Sequence, residues 1–358
     1  MTRSPIRLLA AAVLAVLAAS VRADDFSSAL GPVFQGDLPQ TLARLKALPE
    51  ASLSAKARPV RECILARFGA AGSDAGPADG FAAADPASAA TDPRLPPDLA
   101  AVLHAYRRYW TSSLMHTRTP AEAEAALSDD LGRLLPDAPA GLDARAEAAV
   151  AFAEKRGWHA LGGLTAPLRE YMLWKDQATR REDVALPGGT VAVSVSKLDG
   201  FASLGWGAWA TCDKAHTGGW ATPQGLMVVV PGWDLSSDRY RVSLLGHESQ
   251  HFADYPRFPK LAEPDLEYRA KLTELALAHD AQAELLAMFS AGAKRDRALP
   301  HPFADWWAMK RIGERLGSDD WKTWKPDDVR AAAAAELAAH TALLQARGAA
   351  TVETALPD

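Results

Sequence analysis

The chain has 358 residues, 48% of them hydrophobic, and a formal charge of −5. That length suits one large domain or two ordinary ones, and mixed charge without a basic stripe argues against nucleic acid as a partner. Its two cysteines, Cys63 and Cys212, are not at metal-ligand spacing.

Residues 1–23 have the pattern of a cleavable signal peptide. Arg3 and Arg7 form a basic n-region, residues 8–19 are an unbroken run of Leu, Ala and Val, and Val21-Arg22-Ala23 offers small residues at the −3 and −1 positions. The run is too short and too Ala-rich for a spanning helix. No Cys follows it and the arginines are not adjacent, so neither a lipid anchor nor a twin-arginine address is expected. A periplasmic or secreted protein follows, with no stable membrane insertion after signal cleavage. In such an oxidising compartment Cys63 and Cys212 can pair, and two buried thiols are the even alternative.

Residues 24–97 read as N-terminal helices, for example over 42–48 and 57–68, followed by an Ala-, Gly-, Asp- and Pro-rich linker or surface loop over 69–97. From residue 98 helical periodicity returns, with Leu99, Val102, Leu103, Tyr106 and Tyr109 at 3–4 spacing. The whole region 98–186 is expected to be helical, with further helices over 120–135, 142–156 and 161–177. At Pro187-Gly188-Gly189 the pattern changes. Residues 190–196 alternate Val191, Val193 and Val195 with small residues, which predicts a half-buried strand. Residues 201–212, with Trp206 and Trp209, form a second strand-like run, and 226–230 are a buried strand. Region 187–358 is therefore expected to hold a catalytic part with helical packing around it, including Trp306, Trp307, Trp321, Trp324 and an Ala-rich helix after Asp327-Asp328. The predicted class is α+β, mainly helical, with a small antiparallel sheet preceding a metal-binding helix and a second, glutamate-bearing helix.

The chemistry concentrates at His247-Glu248-Ser249-Gln250-His251. On a helix this spacing puts both imidazoles on one face, one turn apart, where they can grip one Zn²⁺ while Glu248 activates a water. Residues 234–238 supply N-caps and Pro256 stops the helix. Between them Leu244, His247, Glu248, His251 and Tyr255 follow one stripe. Gly246, a poor helix former, predicts close approach of another backbone, the strand over 226–230. A catalytic zinc normally takes three protein ligands and keeps one open position. The helix after Pro264 sets Glu267, Lys271 and Glu274 on one face. Glu267 is the expected third ligand, Glu274 the runner-up and Glu263 a distant third. The unused glutamate should form a salt bridge or orient a ligating His. Asp254 is expected to be a helix-end polar group or a partner behind the ligands.

Over about residues 226–290 this arrangement resembles the gluzincin class of zinc metallopeptidases. The resemblance implies His247 and His251 as paired ligands, Glu248 as general base and Glu267 as glutamate ligand. This chain departs from the class in two ways. Glu267 follows the second His more closely than in the long-spaced members, and Lys271 stands where an Asp is often found. Arg257 occupies the place of a metzincin's third ligand.

The expected function is zinc-dependent hydrolysis of a peptide or protein substrate by a zinc-activated water, Glu248 taking its proton and passing it to the leaving amine. A catalytically silent zinc-binding or envelope-interaction module and a zinc hydrolase of a non-peptide amide are the alternatives. The oxyanion needs a donor. His216, in a Gly-rich turn, is the foremost candidate, with Tyr255, Tyr268 and His279 behind it. Trp220 is the expected substrate-binding residue, beside an edge strand open to peptide addition.

Overall fold

The structure, a computed structural model, describes residues 25–69, 92–222 and 224–357, so the signal-like leader and most of the linker lie outside the described residues. The chain forms two compact units, Met1–Ala178 with Lys197–Gly218, and Thr179–Ser196 with Gly219–Asp358. The protein is mainly helical α+β, with a three-stranded antiparallel sheet and a separate four-stranded sheet.

The first unit begins with α1 (Asp25–Leu30), α2 (Leu38–Ala47), α3 (Ala57–Phe68), α4 (Pro97–Leu114), α5 (Pro120–Leu134) and α6 (Leu142–Glu154). Local chemistry sets their starts. Asp37 accepts the Gln40 N–H to cap α2, and Thr119 and Glu122 form a capping box ahead of α5, with Pro120 in its first turn. The apolar stripe of α4 is buried as its spacing predicts, and Tyr106 stacks on Tyr171 at 4.4 Å between ring centres.

Residues 161–177 are not a helix. They form β1 (His159–Thr165) and β2 (Leu168–Trp174), paired antiparallel with Gly162 opposite Tyr171. The 3–4 spacing of Leu168, Tyr171 and Met172 imitates a helix because nearly every residue of β2 is buried, and a strand covered on both faces loses its alternation. Gly162-Gly163 and Pro167 are poor helix formers, and they favour strand and turn here. A long hairpin follows, β3 (Asp176–Leu186) and β4 (Gly189–Asp199), so the region ending at 186 is not wholly helical. Residues 201–212 also differ from expectation: only β5 (Ser203–Leu204) is extended, and α7 (Trp206–Thr211) follows. Gly205 at φ +94° turns the chain out of the strand, and Trp206, Trp209 and Ala210 then bury themselves at helical spacing. Cys63 and Cys212 are disulfide-bonded, which ties α3 to the end of α7 and closes a loop of 149 residues. In the chain-entropy account such a closure stabilises by several kcal/mol, roughly 4–5.

In the second unit, β4 lies next to β7 (Gly225–Val229) within the strand order β3-β4-β7-β6, where β6 is Gly219–Thr222. Strands thus occur where 190–196 and 226–230 predict them. Val193, Val195, Leu226 and Val228 bury a small core against Tyr240 and Leu244, at the entry to the motif helix. Then come the short α8 (Asp238–Tyr240), α9 (His247–Asp254), α10 (Glu263–Leu277), α11 (Gln282–Gly292), α12 (Pro300–Leu316) and α13 (Pro326–Ala346). Ser237 accepts the Tyr240 N–H at the N-cap, and residues 241–246 continue into α9 as a π-helical segment. Of these helices α10 is central: every residue from Pro264 to Leu275 is buried. No helix among the described residues is long and apolar enough to cross a membrane.

Glu170 on β2 is buried, and its Oε1 accepts the N–H groups of Tyr171 and Trp206, both at 3.0 Å. Burial outweighs these bonds and pushes its carboxyl from an ordinary 4.5 up to about 7. Between those values the folded chain keeps a proton that the unfolded chain has released, so stability falls as pH rises through the window. Glu170→Gln should therefore be more stable than the parent at pH 8, by on the order of 2–3 kcal/mol, with the gain vanishing near pH 4. Urea unfolding at the two pH values checks this, and an equal gain at both would contradict it.

Candidate metal centre

Helices α9 and α10 run antiparallel, and side chains fix their register. The Arg241 guanidinium, just before α9, donates to the Leu277 carbonyl at 2.7 Å, and Ser243 Oγ donates to Glu274 Oε2 at 2.5 Å. Thr273 Oγ1 donates to Gln250 Oε1 at 2.9 Å. At the far end Arg269 holds Asp254 through two bonds of 2.8 Å, and Gln250 Nε2 adds a third donor at 2.9 Å. Asp254 thus clamps the helix pair. Gly246 serves the same contact: a Cβ there would lie 3.1 Å from Leu277 Cδ1 and 3.9 Å from Thr273 Cγ2. Its other neighbour is the Arg241 carbonyl oxygen of its own helical segment at 3.4 Å, and the expected close approach of the strand over 226–230 is not what the position accommodates.

This register brings His247, His251 and Glu267 together as a buried group that can hold a metal ion. His247 Nε2 lies 3.3 Å from His251 Nε2 and 3.2 Å from Glu267 Oε2, and His251 Nε2 lies 3.5 Å from Glu267 Oε1. Bonds of ~2.0–2.1 Å at tetrahedral angles set donor atoms ~3.3–3.4 Å apart, so the three edges fit one small cation. The donor chemistry fits as well. Two imidazole nitrogens facing each other at 3.3 Å can share either one proton or one metal ion. Glu267 Oε2 is buried without a hydrogen bond, although His301 Nδ1 stands 2.8 Å away.

Glu274 is not in the cluster, and its place is behind it. His247 Nδ1 donates to Glu274 Oε1 at 2.8 Å, which fixes the tautomer and leaves Nε2 to face the cluster. Lys271 Nζ lies 3.5 Å from the same Glu274 oxygen and 3.4 Å from Asp305. Burial opposes charge on His247, but Glu267 and Glu274 together outweigh it and push the imidazole up to about 10. Burial likewise opposes charge on Glu274, and Lys271 and His247 pull it down to about 2. Glu267 is held well below the usual range, against burial, by His301, His251 and His247. The centre is built to contain a positive charge between carboxylates.

Glu248, beside His247, is half-buried, and no hydrogen bond or ion pair among the described residues engages its carboxylate. Tyr255 is 42% exposed, with its ring 6.0 Å from that of His251. The other expected participants have the following surroundings. His216 belongs to the first unit, and its Nδ1 donates to the Thr217 carbonyl at 2.9 Å. Trp220 on β6 is only 8% exposed and offers a substrate little surface. Tyr268 is buried and donates to Glu336, Glu263 is exposed at the start of α10, and His279 is exposed. His301 at the start of α12 was not among the residues expected from sequence. Standing alone between two prolines, it carries no motif, and only packing of α12 brings it to Glu267.

Titration with Zn²⁺ or Co²⁺ tests the cluster. His247→Ala and Glu267→Gln should lose tight binding, and Glu274→Ala should weaken it about 10–100-fold by freeing the His247 ring. Glu263→Gln should bind as the parent does. Unchanged affinity in Glu267→Gln would rule this cluster out as the binding site. Comparison with protein-family models, curated proteins and solved structures finds no match to this chain, so function must be argued from the site itself.

Proposed function

We propose that this protein is an exported, zinc-dependent metallopeptidase whose zinc ligands are His247, His251 and Glu267. The observation that carries the reading is the unengaged Glu248 carboxylate beside a buried two-His, one-Glu donor set. Two imidazoles and a carboxylate suit zinc, and three protein ligands are what a catalytic site supplies when one position stays open. When bound, Zn²⁺ supplies Lewis acidity, making water acidic near neutral pH and polarising a carbonyl. Glu248 is the general base of this scheme: it takes the proton of the attacking water and delivers it to the departing amine. Glu274 keeps His247 in one tautomer, and the Asp254–Arg269 clamp keeps the two ligand-bearing helices in register.

Within the second unit, Tyr255 is the donor best suited to a developing oxyanion. Burial, and then the Glu248 and Glu267 charges, push its phenol up to about 12, so it keeps its proton at neutral pH. The leader-like residues 1–23 support export, and the peptide substrate follows from the gluzincin-like pairing of ligands with base.

Glu248→Gln should retain the parent's zinc content while peptide cleavage falls by roughly 10²–10⁴. Tyr255→Phe should lower kcat by about 10² and leave KM nearly unchanged. Both are read on a mixed peptide library by mass spectrometry, followed by kinetics on the best substrate. A zinc-loaded parent that cleaves no peptide would discard this proposal in favour of a silent zinc-binding module or a hydrolase of another amide.

A further inference from the structure

His301 is the one side chain at the metal centre to which the proposed hydrolysis gives no task. Among the described residues, the polar groups at contact distance from the Glu267 carboxylate are three imidazoles. His247 Nε2 and His251 Nε2 belong to the centre itself, and a cation held there would engage both. His301 Nδ1, 2.8 Å from Glu267 Oε2, is then the group left to hold the carboxylate from outside. Both ring nitrogens of His301 are buried without a hydrogen-bond partner, and its other ring contact is with His247, 6.2 Å between centres and with planes 28° apart. Shutting both nitrogens of an imidazole away from water is unfavourable unless a partner takes one of them. Glu267 Oε2, equally buried and without a hydrogen bond, faces it. The separation is already that of a hydrogen bond and only the alignment is missing, so a turn of the ring or of the carboxylate completes it.

The packing of α12 on α10 fixes where His301 stands. His301 and Asp305 are one turn apart on α12, as Glu267 and Lys271 are on α10. The two pairs meet in order, His301 at Glu267 and Asp305 at Lys271, whose Nζ lies 3.4 Å from Asp305 Oδ1. Just ahead of α12, Arg297 Nη2 donates to Asp265 Oδ2 at 2.7 Å. The His301 contact therefore lies between two ion pairs made with the same helix, α10. Phe303, Ala304 and Trp307 of α12 share one apolar core with Tyr268 and Leu272 of α10, which holds the register.

We propose that His301 is the positioning residue of Glu267: its Nδ1–H donates to Oε2, so that one carboxylate oxygen, rather than both, is left to the cation. A carboxylate that ligates a metal is ordinarily held in this way by a hydrogen-bond donor behind it. Glu274 does the corresponding service for His247, so each of these two ligand side chains has its own support. Spending one oxygen on His301 keeps Glu267 from occupying the position that a catalytic zinc leaves open. The proposal rests on the metal-binding part of the function given above and not on its peptidase part.

The test titrates the full, chelator-treated chain with Co²⁺, and with Zn²⁺ in competition with a coloured chelator. The readouts are the dissociation constant and the visible absorption of the bound Co²⁺. His301→Leu should weaken binding about 10–100-fold. With both Glu267 oxygens released to the metal, its Co²⁺ form should also absorb more weakly per bound ion, the mark of a higher coordination number. His301→Asn sets an amide nitrogen where Nδ1 stands and should restore both affinity and spectrum. His301→Gln sets one where Nε2 stands and should restore neither. Parent affinity and spectrum in His301→Leu would overturn the proposal, as would equal behaviour of the Asn and Gln variants, which marks an effect of packing. Loss as complete as in His247→Ala, without rescue by Asn, would make His301 a ligand and overturn it too. The Asn–Gln comparison decides even if His301→Leu does not fold. Peptide cleavage is not read, so the peptidase reading fails separately, and a parent that binds neither ion overturns both.

Discussion

The second unit is organised by the burial of charge on a single helix. Along α10, Asp265, Glu267, Arg269, Lys271 and Glu274 are each at most 5% exposed. Burying an ionised group costs several kcal/mol unless partners replace its water, so every one of these side chains constrains whatever packs against it. Arg269 requires Asp254, Lys271 requires Glu274 and Asp305, and Asp265 requires Arg297 and two backbone N–H groups. The helix therefore specifies its neighbours as well as packing against them. Glu267 is the member least well provided for, since one of its buried oxygens accepts no hydrogen bond. A helix lined with apolar residues would hold the same core at lower cost. The charges suit a unit whose buried His247, His251 and Glu267 could hold a cation.

The His247 and His251 rings are supported unequally. His247 has both nitrogens committed, Nδ1 to Glu274 and Nε2 to the cluster, whereas His251 Nδ1 is buried without a hydrogen-bond partner. The orientation of His251 depends instead on packing, with Tyr255 stacked on it from the next turn. His247 is engaged at both nitrogens, and His251 only at Nε2, with the Tyr255 ring supporting its other side. On the proposed reading, a substrate would approach the His251 side of the centre, next to an exposed phenol.

How much of this could be read from the sequence followed the range of the interactions involved. The motif and its caps are local, so the helix bearing His247, Glu248 and His251 was predictable, and the expectation that the glutamate outside the cluster would form a salt bridge or orient a histidine describes Glu274, which meets both Lys271 and His247. The fold class was also legible. Failures arose where burial hid the period. β2 is covered on both faces and imitated a helix, and the Trp206–Thr211 helix passed for a strand because small residues separate its tryptophans. Gly246 was expected to admit another backbone, but what packs on it from outside its own helix are side chains of α10, and nothing in the local sequence says which element will arrive. His301 and Asp305 reach the site only through tertiary packing of α12, and no spacing rule relates them to a motif so far upstream.

The same logic extends to the far end of the described chain. Asp265 lies two residues before Glu267, and its Oδ1 accepts the N–H groups of Ala355 and Leu356 at 2.8 and 2.9 Å. Arg297 bonds both Asp265 Oδ2 and the Leu356 carbonyl, and the Ala262 N–H donates to the Glu353 carbonyl at 2.7 Å. Val352 and Ala355 pack with Phe258, Leu261 and Leu266, so apolar contact reinforces the polar clamp. The start of α10 is thus fixed by residues 352–356, while its middle and end are fixed by α9. A carboxylate ligand must be held to within a fraction of an ångström for its donor spacing to suit a metal, and a helix start is ordinarily the part that frays. Anchoring α10 just ahead of Glu267 removes that freedom, so the position of the third donor depends on contacts made more than eighty residues later in the chain.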